Sequence, residues 1–129
     1  MLRTLLAIAM IAAVPAAAVA EGDVKKGKKV FRKCKACHAV GEKAKNKVGP
    51  QLNGVVGRKA GAVEGYKYSK AMLDSGITWD EANLDKYLKK PKDLVRGTKM
   101  IFAGLKKEKQ RQNLIAFLKT YGADGKQTK

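Results

Sequence analysis

Cys34-Lys35-Ala36-Cys37-His38 gathers both cysteines and the only histidine of this 129-residue chain into one short run. Two thiols three positions apart on one turn can each add to a vinyl group of the same porphyrin, and the adjacent His38 is then held beneath the iron as its proximal ligand. The C-x-x-C-H order is therefore read as an attachment site for one c-type haem, bound covalently through Cys34 and Cys37. A redox disulfide of the thioredoxin kind would need a βαβ context, and no alternating strand pattern accompanies the motif. A zinc centre needs four ligands, more than two Cys and one His can supply.

A haem iron has a second axial position, so a second soft ligand is sought among the four methionines. Met1 and Met10 belong to the N-terminal apolar stretch. Met72 sits in a short helical run with Lys70, Ala71 and Leu73, whereas Met100 ends the loop that follows the Pro91 break. A loop can bring a thioether over the iron without distorting a helix, which favours Met100. Met72 stays open as the alternative, and either side chain also suits core packing.

The elements that must position these groups are helices and loops. Asp23 can cap a helix whose Val24, Gly27, Val30 and Phe31 recur at three and four residues, and this helix delivers Cys34 near its end. From Gly41 to Gly65 the chain is dense in Gly, Lys and turn residues, which predicts a long loop wrapped around a ligand rather than a packed core segment. Ser69 can start a short helix through Leu73. Thr78 and Glu81 form a T-x-x-E capping box for a helix that must stop before Pro91, with Leu84, Tyr87 and Leu88 facing inward. The last helix is expected from about Lys107 to Tyr121, where Leu114, Phe117, Leu118 and Tyr121 form a buried stripe. Residues 123–129 read as a flexible tail.

Lys and Arg total 28 against 11 Asp and Glu, a formal net charge of +17, which excludes an acidic buffer and favours acidic partners. Arg3, the apolar run that follows and Ala18-Val19-Ala20 read as a secretory signal peptide over residues 1–20, cleaved after Ala20. The apolar stretch from Leu5 to Ala20 falls short of the roughly 20 residues that span a bilayer. Residues 21–129 are then one exported, strongly basic domain, and export moves nucleic acid far down the order of partners.

Five segments together resemble class I cytochrome c: Cys34-Lys35-Ala36-Cys37-His38, Gly49-Pro50-Gln51-Leu52-Asn53-Gly54, Gly57-Arg58, Gly76-Ile77-Thr78-Trp79, and Gly97-Thr98-Lys99-Met100-Ile101-Phe102-Ala103-Gly104. The likeness runs in order from Gly22 to about Tyr121 and is greatest to the bacterial cytochrome c2 members, close relatives of the mitochondrial carrier. It implies an all-α fold of helices and loops wrapped around the haem, with Met100 as the distal sulfur ligand. Pro50 would supply the carbonyl that holds the Nδ1 hydrogen of His38, and Tyr87 the phenol near the Met sulfur. Arg58, Tyr68, Trp79 and Thr98 match groups that hydrogen-bond or neutralise the buried haem propionates. Gly27, Phe31, Leu114 and Phe117 match the contact between terminal helices. Met72 stands where many members carry Asn.

The same likeness implies a one-electron carrier rather than an enzyme, because His38 and Met100 together would leave no open position for a substrate. It implies a monomer in the periplasm, taking electrons from a quinol:cytochrome c oxidoreductase and passing them to a photosynthetic reaction centre or a terminal oxidase, with only transient contact at the membrane surface. Lys29, Lys33, Lys45, Lys47, Lys92, Lys99, Lys106 and Lys107 would then surround the exposed haem edge and dock on acidic faces of these complexes.

Overall fold

Residues 22–128 are described by a computed structural model. The predicted leader, 1–20, lies outside the described residues. The described residues form five helices in order: α1 Val24–Phe31, α2 Lys70–Asp74, α3 Glu81–Lys89, α4 Pro91–Leu94 and α5 Glu108–Lys119. Among the described residues there is no strand, only isolated bridges pairing Lys59 with Thr78 and Tyr121 with Gln127.

The caps of the first two helices are those expected. Asp23 accepts from the Lys26 amide at 2.8 Å, and Ser69 Oγ accepts from Met72 at 3.1 Å. The third differs: α3 is capped by Asp80, whose carboxylate accepts from the Asn83 amide at 2.7 Å. Thr78 is unavailable because it pairs with Lys59 in extended backbone, flanked by Ala60 N–H to Ile77 and Trp79 N–H to Arg58 at 2.8 Å each. The chain can turn into a helix only after this pairing ends. Pro91 stops α3 as expected but also opens the single turn of α4, where its missing N–H costs nothing.

The tail also departs from expectation. Residues 123–128 fold back instead of trailing: Gly122 donates to the Lys126 carbonyl at 3.0 Å and Thr128 to Thr120 at 2.7 Å. Gly125, at φ +81°, is buried so tightly on the Gly41 carbonyl that a Cβ would lie 2.4 Å from its oxygen. Backbone hydrogen bonding, which composition does not reveal, holds this segment.

The terminal helices α1 and α5 make the most extensive helix contact. Phe31 and Phe117 meet at 5.3 Å between ring centroids, and Asn113 of α5 accepts from the Asp23 amide at 2.8 Å. Gly27 makes the approach possible, since a Cβ there would lie 1.9 Å from the Asn113 carbonyl oxygen and 2.7 Å from Phe117 Cβ. Gly→Ala inside a helix ordinarily gains up to about 1 kcal/mol. Here the sign reverses, because backbone rather than a movable side chain blocks the methyl. Gly27→Ala is expected to destabilise the holoprotein by about 3 kcal/mol, read from the guanidinium unfolding midpoint. An unchanged or raised midpoint would show that the helices do not approach this closely.

A cross-brace that sequence reading missed lies behind α5. Arg111 is buried, donates from Nε to Asp85 of α3 at 2.7 Å, and spans the Leu105 and Lys106 carbonyls at 2.8 and 2.9 Å. It thereby ties α3 and α5 to the end of the loop that carries Met100. Pairing offsets the cost of burying the guanidinium.

Candidate functional site

The turn continuing from α1 aims the C-x-x-C-H side chains. Cys34 N–H bonds to Phe31 at 2.8 Å, and Cys37 and His38 both bond back to the Cys34 carbonyl, at 3.1 and 2.8 Å. Cys34, Cys37 and His38 consequently line one cavity of about 270 Å³. Val55, Leu84, Leu88, Leu114 and Leu118 give that cavity its apolar walls while also belonging to the hydrophobic core. Core and binding site are one structure.

His38 Nδ1 donates to the Pro50 carbonyl at 2.7 Å. Burial holds the imidazole below its ordinary pKa, outweighing the opposing effect of that bond, while Arg58 and Lys47 add repulsion. A neutral ring with Nδ1–H engaged keeps its Nε2 lone pair for a metal. Gly49 lets the backbone close over this ring, because a Cβ there would stand 2.4 Å from His38 Cε1. Burial pushes the Cys34 thiol up to about 11, with Cys37 adding to the effect. That is the reverse of what an attacking thiolate of a disulfide exchanger needs. Among the described residues no group of three His, Cys, Asp or Glu side chains could hold a metal ion, so the zinc reading lacks its ligands.

Pro50, Arg58, Tyr68, Trp79, Tyr87, Thr98 and Met100 line the same cavity, although they are far apart in sequence. Arg58 gives NH1 to the Gln51 and Asn53 carbonyls at 3.1 and 3.0 Å, yet its buried Nε has no partner. A half-buried cation whose buried Nε lacks a partner fits an anionic group entering the cavity. Tyr68 accepts from the Val63 amide at 3.0 Å. Trp79 is buried 4.8 Å from the Tyr87 ring. The Tyr87 hydroxyl, its pKa raised by burial, pairs with Thr98 Oγ1 at 2.7 Å, and Thr98 Oγ1 also accepts from the Met100 amide at 3.3 Å. Met72 lines the cavity too, so burial alone does not separate the two methionines.

All eight lysines expected at a docking face are exposed. Lys33 and Lys99 line the cavity, and Lys47 Nζ reaches the Lys35 carbonyl beside the cysteine turn at 2.7 Å. Lys29, Lys45, Lys92, Lys106 and Lys107 do not line it. Tyr66, unremarked in the sequence, lines the cavity and donates its hydroxyl to the Val48 carbonyl at 2.7 Å. An aromatic residue in a glycine-rich loop was the only signal that could have marked it.

The family model for cytochrome c matches residues 24–122. The chain belongs to the cytochrome c family. It is 58% identical over 105 residues to cytochrome c-550 of Nitrobacter winogradskyi, which covers 81% of this chain and 96% of the relative. Identity to cytochrome c2 of Rhodomicrobium vannielii is 56% over 116 residues, 88% of this chain and 93% of the other. The solved structure of cytochrome cH from Methylobacterium extorquens superposes with a TM-score of 0.73 at 50% identity, over 77% of this chain and 99% of that one. This is a class I cytochrome c of the bacterial c2 type, helical and without a sheet among the described residues. It binds haem c covalently through Cys34 and Cys37, and it is an electron-transfer protein, not an enzyme. The apolar cavity, the paired thiols, the neutral imidazole and the open Arg58 donor fit that group.

Proposed function

We propose that this cytochrome is a periplasmic shuttle, taking electrons from a quinol:cytochrome c oxidoreductase and delivering them to a photosynthetic reaction centre or a terminal oxidase. The haem supplies a single iron that gains and loses one electron. His38 and Met100 would hold that iron; Pro50 fixes the imidazole plane through the 2.7 Å bond, and Tyr87 with Thr98 steadies the Met100 backbone. Arg58, with Tyr68, Trp79 and Thr98, would receive the propionates, Arg58 through its unpartnered Nε. Export follows from the leader read in residues 1–20. Among the described residues no helix is long and apolar enough to cross a membrane.

The observation that carries the shuttle reading is the placement of exposed Lys33 and Lys99 at the lining of the cavity that holds Cys34, Cys37, His38 and Met100. The ion pairs use Lys70, Lys90, Arg111 and Lys119, while none of the eight docking lysines faces a carboxylate of its own chain among the described residues. Lys47 and Lys99 are held by backbone carbonyls, and the charges of all eight remain without an acidic partner among the described residues of their own chain, so they can raise the encounter rate with an acidic partner without a large interface. Speed with easy release suits a shuttle.

The expected result is a second-order oxidation rate, measured by stopped flow with isolated partner complexes, that falls about tenfold or more as the Debye length shortens from about 30 Å at 0.01 M salt to about 10 Å at 0.1 M. Charge reversal at Lys33, Lys92 or Lys99 should slow it more than reversal at Lys126. Equal effects would mean that only net charge matters, and the docking face would be withdrawn.

A further inference from the structure

Tyr66 joins two segments that approach the cavity from distant parts of the chain. Its hydroxyl donates to the carbonyl of Val48 at 2.7 Å, and Val48 leads directly into Gly49-Pro50, the backbone that closes on His38. The Asn46 side chain reinforces this tie by donating to the Glu64 carbonyl at 3.1 Å. The Tyr66 ring stands edge-on to Tyr68, 4.8 Å between centroids, which fixes its orientation. Over the same ring lies the Lys99 ammonium, 4.5 Å from the centroid, and that ammonium also donates to the Lys67 carbonyl. Lys99 is the residue before Met100.

From Ile101 to Gly104 no backbone amide finds a protein acceptor among the described residues, and the next anchor is Leu105 N–H on Leu88 at 2.7 Å. Ile101 itself is fully exposed. The Met100 segment is therefore pinned from within by Tyr87 and Thr98 and from the outer side by Lys99 on Tyr66.

We infer that Tyr66 is a positioning residue, the seat of a latch in which its ring receives Lys99 and its hydroxyl ties that contact to the segment bearing Pro50, so that the Met100 loop is held closed against small ligands. The inference rests on Met100 being the distal ligand. A cation over an aromatic face and one neutral hydrogen bond are each modest, so the latch shifts an opening equilibrium and does not decide the fold.

The test is equilibrium binding of imidazole to the ferric holoprotein, followed by loss of the sulfur-to-iron absorption band. Tyr66→Phe keeps the ring and loses the Val48 bond, and should raise imidazole affinity roughly threefold; Tyr66→Leu loses both and should raise it roughly tenfold. Lys99→Met should raise affinity roughly fivefold in the wild-type background but only about twofold beside Tyr66→Leu, because the two residues act as one unit. Additive effects, or affinities unchanged in the Tyr66 variants while the band is present, overturn the latch and leave Met100 as ligand. A wild-type ferric protein without the band, or one whose band survives Met100→Ala, overturns the ligand reading and the latch with it.

Discussion

Met100→Ala is expected to keep haem covalently bound while opening the distal side to outside ligands. Both attachment points, Cys34 and Cys37, lie in the turn after α1 and depend on nothing in the Met100 loop. Loss of the thioether leaves water as the nearest substitute. Lys99 is the next donor in sequence, but its ammonium is engaged at the Tyr66 ring and the Lys67 carbonyl. Sulfur favours ferrous iron over ferric relative to harder oxygen or nitrogen donors, so the reduction potential should fall by on the order of 0.1 to 0.3 V, within the roughly 0.8 V that axial ligation spans. The reduced variant should bind carbon monoxide rapidly at neutral pH, whereas the parent should not. Met72→Ala is the necessary companion, because Met72 lines the same cavity from α2. Loss of the sulfur-to-iron band in Met72→Ala, with the band intact in Met100→Ala, would transfer the assignment to Met72.

Replacing Cys34 and Cys37 together by Ala should leave a haem-free chain that is largely unfolded. Val55, Leu84, Leu88, Leu114 and Leu118 serve both as core and as cavity wall, so an empty site is a hole in the core itself. At about 24 cal/mol per Å³, an enclosed void of about 270 Å³ would cost on the order of 6 kcal/mol, an upper bound for a site that opens to solvent beside Lys99 and Ile101. That is comparable to the whole stability of a small domain, about 5 to 15 kcal/mol. The long loop from Gly41 to Gly65 contains no helix of its own and would lose what it wraps. Far-ultraviolet circular dichroism gives the decision: a cooperative thermal transition of full helical amplitude in the haem-free variant would show that the polypeptide carries its own core.

Local spacing was enough wherever the deciding interaction spans only a few residues. Asp23 and Ser69 cap α1 and α2 through hydrogen bonds to amides three positions on, so residue type and order contain the whole interaction. Leu114, Phe117 and Leu118 of the expected stripe follow from helical period alone, whereas Tyr121 lies past the end of α5 and is half-buried, and Pro91 ends α3 because its ring cannot continue the preceding turn. The C-x-x-C-H run is legible for the same reason, since both thiols and the imidazole ride on one turn. Motif likeness went further and marked Pro50, Arg58, Tyr68, Trp79, Tyr87, Thr98 and Met100, which the fold gathers around one cavity.

Tertiary structure decided whatever depends on a partner distant in sequence. Thr78 has the right neighbours for a cap, but pairing with Lys59 holds it extended and passes the role to Asp80. The tail reads as loose by composition, yet Gly125 packs on Gly41, a neighbour no local pattern could announce. Arg111 on a solvent-like stretch of charged residues is buried because Asp85 and two loop carbonyls converge on it. Tyr66 takes its place at the mouth of the site only because Val48 and Lys99 arrive from opposite directions along the chain. What the amino-acid order determined by itself is the haem attachment turn and the helices that frame it, through bonds that close within a turn. The choice of which loops seal the site belongs to long-range packing, where each contact exists only once distant segments of the chain have come together.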